Sequence, residues 1–227
     1  MILQKQVFQS KKKFLKSSLS SHTNLEIDLY NNKLDFEDVQ EITAALMECK
    51  SVVNLILQFE VNRINDDGAN LISLSLNSFK YLTNLELWIS QNIIGDTGIQ
   101  SIAASLSNCN QIKSLILGLY RNNFGNKGLV SIATGLNSCI LITDLLISLY
   151  NKDISHEGYY KFGQYLSGLP KLISLKLHHE DDYKILFSKE LINCKNIKVL
   201  YLNLPFYENK IKQKDLKIKR LVIQKRI

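Results

Sequence analysis

The amino-acid sequence predicts an α/β solenoid, a right-handed coil in which every unit contains one strand and one helix. The first observation is a leucine that recurs every 30 residues, at Leu25, Leu55, Leu85, Leu115, Leu145 and Leu175. The second is that Ile, Leu or Phe recurs two positions after each of these leucines, and again four positions after the first five of them, which is the period of a strand. The third is a spacing of four between apolar residues in the second half of each unit, which is typical of a helix.

The helix positions repeat with the same period as the strands. Three columns of residues recur in successive units: Ile42, Ile72, Ile102, Ile132 and Phe162; Leu46, Leu76, Leu106, Leu136 and Leu166; Cys49, Phe79, Cys109, Cys139 and Leu169. Parallel strands stack about 4.8 Å apart, whereas packed helices need about 8–10 Å between axes. We therefore expect a horseshoe with a parallel sheet on the concave wall and helices on the convex side.

The unit reads LxxLxLxLxxNxI…G…I…L..C, most clearly from Ile112 to Cys139. It resembles the leucine-rich repeat, and its full helix and cysteine corner resemble the ribonuclease-inhibitor-like subtype. Units in that family usually have about 20–29 residues, and a longer strand at 115–119 accounts for the extra length here. The composition, rich in Asn, Lys and Ile, also resembles the expanded leucine-rich-repeat families of ciliates and other protists.

Charge divides the chain into three predicted parts. Residues 1–20 carry a net charge of +5 and form a basic N-terminal helical cap, in which Lys11, Lys12 and Lys13 point outward. Residues 21–204 hold the repeats, with a net charge of −6 over 21–194. Residues 205–227 form a basic C-terminal cap with a final strand around Leu221, and residues 195–227 carry +8. The basic residues of this last strand would keep the open sheet edge from pairing with other chains.

Polar columns between the strand and the helix are assigned to the scaffold. The amides of one column are expected to satisfy backbone groups of the turn that leaves each strand: Asn32, Asn62, Asn92 and Asn122. This column slips in the fifth unit, where it holds Lys152 and Asn151 precedes it. A glycine column is expected to give a flexible backbone before each helix: Gly68, Gly98, Gly128 and Gly158. Asp66, Asp96 and Ser155 are predicted to cap helices.

The positions that alternate with the buried leucines face the concave side and are the candidate binding surface. The predicted protein-binding residues are Glu26, Asp28, Tyr30, Gln58, Glu60, Glu86, Trp88, Tyr120 and Tyr150. One interpretation makes Trp88 an interface anchor, ringed by acids that favour a basic partner segment. The other makes it a local cluster that covers Ile56 and Ile116 on neighbouring strands.

The sequence contains no nucleophile elbow, phosphate-binding loop or zinc-protease motif, so neither an enzyme nor a cofactor is predicted. The stretch HHEDD, His178 to Asp182, has the residue types of a metal site, but a solvated loop fits it better because a closed site needs four ligands. The four cysteines lack a CxxC pair and are expected to be reduced, with Cys49, Cys109 and Cys139 in the core.

The function predicted from these patterns is protein binding by the concave face, in a scaffold or adaptor subunit of a larger assembly. Two alternatives stay open: an inhibitor or regulator of a partner enzyme, and a polyanion binder that uses the basic termini for RNA or an acidic protein surface. No membrane span is expected, since no apolar run approaches about 18 residues. The expected location is the cytoplasm, with association with the cytoskeleton or a cilium as a narrower hypothesis.

Overall fold

The computed structural model describes residues 4–178, 196–204 and 220–225, with the strand residues after 201 described by their backbone alone. One parallel sheet of nine strands follows the chain order from β1 to β9. The strands are β1 Gln6–Phe8, β2 Asn24–Asp28, β3 Asn54–Gln58, β4 Asn84–Trp88, β5 Ser114–Gly118, β6 Asp144–Ser148, β7 Ser174–His178, β8 Val199–Leu204 and β9 Arg220–Lys225. Helices connect the successive strands from β1 to β7 on the outer side, as the predicted α/β horseshoe requires.

The helices are α1 Lys11–Leu15, α2 Phe36–Glu48, α3 Asp66–Leu76, α4 Asp96–Asn108, α5 Asn126–Ser138 and α6 His156–Ser167, and a short 3-10 helix spans Leu19–Ser21. Strand register follows the sequence period, so that Leu25 pairs with Leu55 and Leu55 with Leu85. These leucines, and the residues two and four positions after them, are buried between sheet and helices in one continuous core. The predicted direction of the strand side chains is therefore confirmed for β2 to β7.

The side chains of Asn62, Asn92 and Asn122 each join two units, which confirms the predicted role of the column at these positions. The Oδ1 atom of Asn92 accepts a hydrogen bond from the backbone N–H of Ile64 at 3.0 Å. Its Nδ2 donates to the carbonyl oxygens of Phe59 at 2.9 Å and Ile89 at 3.0 Å. In the fifth unit Asn151, one residue before the column position, links two units in the same way. Its Oδ1 accepts a hydrogen bond from the N–H of Asn122 at 2.6 Å.

The residue before the column asparagine adopts a left-handed backbone in four successive units. The φ angles are 53° at Asn31, 57° at Val61, 55° at Gln91 and 52° at Arg121. Asparagine tolerates this region, whereas a β-branched side chain there is strained. We expect Val61→Asn to raise the free energy of unfolding by about 1 kcal/mol, measured by urea denaturation.

Two further substitutions test the cause of that gain. Val61→Gly should stabilise as well, because glycine has no Cβ to clash in the left-handed region. Val61→Ala keeps a Cβ and should gain less than either. A free energy of unfolding that falls in both Val61→Asn and Val61→Gly would contradict strain at this position.

Helix capping crosses from one unit to the next, which corrects the prediction for Asp66 and Asp96. Asp66 begins α3 but accepts a hydrogen bond from Gly95 N at 2.6 Å, at the start of α4. Asp96 likewise accepts from Gly125 N at 2.9 Å and from Gly128 N at 2.7 Å, at the start of α5. Each of these carboxylates therefore caps the helix of the following unit. Ser155 precedes α6 as predicted but makes no side-chain cap bond.

The glycine column owes its identity to close packing, and not to backbone flexibility as predicted. None of the described glycines has a positive φ. A Cβ atom on Gly98 would lie 2.7 Å from Asp66 Oδ1, and one on Gly128 would lie 2.9 Å from Asp96 Oδ1. Glycine is required there because the capping carboxylate of the preceding unit occupies the space.

The N-terminal cap is a shortened unit and not only a helix, which corrects a second prediction. β1 pairs with β2 in parallel, with Phe8 opposite Ile27, and the short helix α1 follows. Lys12 and Lys13 are exposed as expected, but Lys11 is half-buried and forms ion pairs with Asp38 and Glu41 of α2. The strand extends the sheet, so the cap closes the core by the same geometry as the repeats.

His22 is a buried member of this cap. Its ring lies 5.4 Å from the ring of Phe8, its Nε2 is 2.8 Å from Ser17 Oγ, and its Nδ1 hydrogen-bonds Gln6 Oε1. Burial lowers the pKa of His22 below the ordinary 6.5. The unfolded chain therefore binds a proton more readily than the folded one, so the stability of the cap is complete above the ordinary value and falls as the pH drops below it.

We expect the amides of Gln6–Phe8 to lose protection against hydrogen exchange as the pH falls from 7 to 5. Protection here is the observed exchange rate compared with the intrinsic rate at the same pH. A His22→Gln variant removes the titrating group and serves as the control. Equal pH dependence in the variant and the parent would show that another group governs the cap.

The predicted final strand is confirmed as β9, which pairs in parallel with β8 so that Leu221 lies opposite Leu200. Its predicted edge protection by lysine and arginine side chains falls outside the described residues, as does the loop at 179–182. The boundaries of the three predicted parts of the chain stay predictions.

Candidate functional site

The concave side of β2, β3 and β4 carries an open depression of about 430 Å³. It is lined by Lys5, Glu26, Ile56, Gln58, Glu60, Glu86 and Trp88. We call this group the acidic depression. Five of its seven residues were predicted as protein-binding, because strand alternation alone places them on this face. The structure brings them together around one pocket.

Hydrogen bonds hold two of the three glutamates in place. Glu26 forms an ion pair with Lys5 and accepts a bond from Gln58 Nε2 at 2.7 Å. Glu86 accepts a bond from the indole Nε1 of Trp88 at 3.2 Å. The depression therefore contains a carboxylate that is already paired with a lysine of this chain.

Sequence reasoning missed Lys5, which was assigned to a helical cap. Two residues beyond it lies Val7, which pairs with Glu26 across β1 and β2. Lys5 therefore follows the same alternation as the acids, and a strand assignment for 6–8 would have placed it beside them. Gln9, also missed, donates to Asp28 Oδ2 at 3.2 Å.

Glu60 differs from its neighbours because, within the described part of the chain, no hydrogen bond or ion pair reaches its carboxylate. It is half-buried. Burial, and secondarily the negative charge of Asp28, raises the pKa of Glu60 above its ordinary value. An ionised carboxylate in this place destabilises the folded protein and gains most from a cation supplied by another molecule.

Glu60→Gln is expected to stabilise the free protein by about 0.5 kcal/mol at neutral pH. The folded-state pKa is raised, so ionisation favours the unfolded chain and the gain should grow as the pH rises from 4 to 7. Urea denaturation at several pH values measures the difference between variant and parent. A difference that shrinks over this range would mean that Glu60 is stabilised as a carboxylate, against this prediction.

Trp88 leans along the sheet toward the next strand. It pairs with Gly118, and a Cβ atom on that glycine would lie 2.5 Å from the indole Cε3. The indole is half-buried and lines the depression beside Ile56. The ring therefore packs on the sheet across Gly118, and part of it lines the wall of the pocket. Its role as an interface anchor stays a prediction.

Tyr120 and Tyr150 form a second group on the concave side, after β5 and β6. Their ring centroids lie 5.9 Å apart with 35° between the planes. The guanidinium carbon of Arg121 lies 4.8 Å from the centre of the Tyr120 ring. The structure thus confirms that the two tyrosines are adjacent. Tyr30 is 53% exposed and lies in the first unit, so it does not join them.

Among the described residues, no three His, Cys, Asp or Glu side chains lie together in a group that could hold a metal ion. His178 ends β7 with its ring 5.8 Å from that of Tyr201. Three cysteines are buried free thiols, and burial raises the pKa of Cys49 and Cys139 to about 12 and that of Cys109 to about 11. These thiols stay protonated and belong to the core.

Among the described residues, every helix is too short or too polar to cross a membrane. No model of a known protein family matches the sequence, and no curated protein matches it either.

A solved structure described as Leiomodin-1 Actin-Binding Site 2 (ABS2) is similar in fold. Its TM-score is 0.51 at 20% sequence identity, over 70% of this chain and 86% of that one. This chain has nine parallel strands in chain order and helices on the outer side. Together with the likeness, this arrangement shows that the chain folds as a leucine-rich-repeat solenoid. The ribonuclease-inhibitor-like subtype stays a prediction.

Proposed function

We propose that this solenoid is a non-enzymatic protein-interaction module, a scaffold or adaptor subunit that binds a basic segment of a partner protein at the acidic depression. The observation that carries the proposal is Glu60, a half-buried carboxylate that no cation of the described residues pairs with, beside the accessible part of Trp88. Glu26 and Glu86 lie in the same wall.

A partner's lysine or arginine side chain would satisfy this arrangement in two ways. Its charge would pair with Glu60 in a place where water is partly excluded, so the attraction is stronger than at an open surface. Its alkyl stem or guanidinium would pack on the face of Trp88, where cation–π contacts contribute about 0.5–2 kcal/mol. Tryptophan and arginine are the residue types that dominate binding energy at protein interfaces.

The fold likeness is consistent with this role, because the leiomodin domain is described as an actin-binding site. At 20% identity we extend only the kind of function, protein binding, to this chain. A cytoplasmic location accompanies the proposal, since the buried cysteines of the described core are free thiols, as in a reducing compartment.

Polyanion binding by the N-terminal lysines is less favoured than protein binding. Lys5 and Lys11 already pair with Glu26, Asp38 and Glu41 of this chain. An RNA on the concave face would bring phosphates close to the carboxylates of the acidic depression, which repel them. An enzyme inhibitor would use the same concave face, and the activity of the captured partner distinguishes inhibitor from adaptor.

The test is affinity capture with the full chain from cells of its source organism, followed by mass spectrometry. Glu60→Lys and Trp88→Ala should each lose the same partner. Glu48→Lys makes an identical charge change at an exposed position at the end of α2 and should retain it. Circular dichroism and thermal unfolding confirm that each variant folds. Retention of every partner by both concave-face variants would disprove the proposal.

A further inference from the structure

The concave face changes its chemistry between β4 and β5. On β2 to β4 the positions that alternate with the buried leucines carry the acids of the depression. Glu26 and Glu86 lie within strands, and Glu60 lies two residues after β3. On β5 and β6 the corresponding positions carry no charge: Ile116, Gly118, Tyr120, Leu146, Ser148 and Tyr150. We call these six residues the uncharged half. The rings of its two tyrosines contact each other at a tilt of 35°, and its aliphatic side chains are half-buried.

Trp88 and Gly118 form the border between the halves. The indole hydrogen-bonds Glu86 on the acidic side and packs over Gly118 on the uncharged side. The two surfaces are thus continuous through one side chain. A ligand bound at Glu60 that extends across the strands toward β6 therefore meets Trp88 and then the tyrosines.

We propose that the partner segment is polarised, with its basic residues over β2 to β4 and apolar residues over β5 and β6. This inference rests on the proposed function and adds the order of the contacts. Four strand spacings of about 4.8 Å cover about 19 Å, which about six residues of extended chain span at about 3.3 Å each. A short linear segment of six to eight residues is therefore the occupant that fits.

Charge complementarity excludes the other arrangements of such a segment. Basic residues over the uncharged half would lose water without gaining a carboxylate, which costs free energy. Apolar residues over β2 to β4 would leave Glu60 buried further and still unpaired. A segment in which the two kinds of residue alternate meets one of these costs at every second position.

The probes are two fluorescein-labelled octapeptides of equal composition, KRKKLPLF with separate blocks and KLRPKLKF with alternating residues. Fluorescence anisotropy with the full chain should give at least tenfold tighter binding for the blocked peptide. Equal affinities, or no measurable binding of the blocked peptide, would overturn the polarity.

Two variants separate this inference from the proposed function. Glu60→Lys should weaken both the blocked octapeptide and a KRKK tetrapeptide. Tyr150→Ala should weaken the octapeptide about tenfold and leave the tetrapeptide unchanged. If Tyr150→Ala has no effect while Glu60→Lys does, the polarity fails and the acidic site stands. If Glu60→Lys changes neither peptide, the proposed site fails as well.

Discussion

Asn92→Leu should lower the free energy of unfolding by about 4 kcal/mol or more, since each buried polar group left without a partner costs about 1–3 kcal/mol. Leucine has the same branching and the same number of side-chain heavy atoms, so the substitution removes hydrogen bonds without leaving a cavity. The N–H of Ile64 and the carbonyl group of Phe59 would lose their side-chain partner, whereas the carbonyl of Ile89 would keep its bond from Asn122 Nδ2 at 3.0 Å. Chemical denaturation monitored by circular dichroism measures the change.

The same column supplies a matched control for this prediction. Asn32 is exposed, and its only side-chain bond within the described chain goes to the carbonyl oxygen of Tyr30 at 2.9 Å. Asn32→Leu should therefore cost less than about 1 kcal/mol. Similar losses in the two variants would mean that the backbone groups around Asn92 find water or other partners.

Gly135→Ala should destabilise the protein by about 3 kcal/mol, although alanine is the better helix former by about 1 kcal/mol. A Cβ atom on Gly135 would lie 2.4 Å from the backbone carbonyl oxygen of Ala103, so α4 and α5 would have to separate. Backbone cannot move aside as a side-chain tip does. Thermal and urea unfolding both report the effect.

Gly168→Ala is the comparison for this second substitution. Gly168 directly follows α6, and a Cβ atom there would lie 3.2 Å from the carbonyl oxygen of Tyr165 in the helix that it caps. No neighbouring helix has to move, and we expect a change below about 1 kcal/mol. If Gly135→Ala is as mild as this control, the two helices can shift at little cost.

The sequence alone predicted the features that repeat in every unit. The leucine columns and the asparagine column recur with one period, so their burial and their role in the turn followed from the pattern. The column of Ala45, Ser75, Ser105 and Gly135 also repeats, and its small residues would have indicated the close approach of the helices. Aromatic Tyr165 ends that column in the sixth unit.

Contacts between units were harder to predict. Asp66 was assigned to its own helix because capping rules describe neighbours in sequence, whereas its partner Gly95 lies 29 residues on. The fit of Trp88 over Gly118 required knowing that equal columns pair in register. Once that register is known, the pairing of the largest side chain, Trp88, with the smallest residue, Gly118, predicts that the indole packs over the glycine. The isolated charge of Glu60 depends on which cations reach it, and only the folded chain shows this.

The inter-unit bonds of Asp66 and Asn62 run in opposite directions along the chain. Asp66 completes a helix that follows it, whereas Asn62 accepts from the N–H groups of Asn32 and Leu34 that precede it. An interior unit therefore forms hydrogen bonds with both neighbouring units. If it unfolded alone, backbone N–H groups in those neighbours would lose their side-chain partners. Opening should begin at the extremities and proceed inward, which leaves the border of Trp88 and Gly118 among the last places to lose its shape.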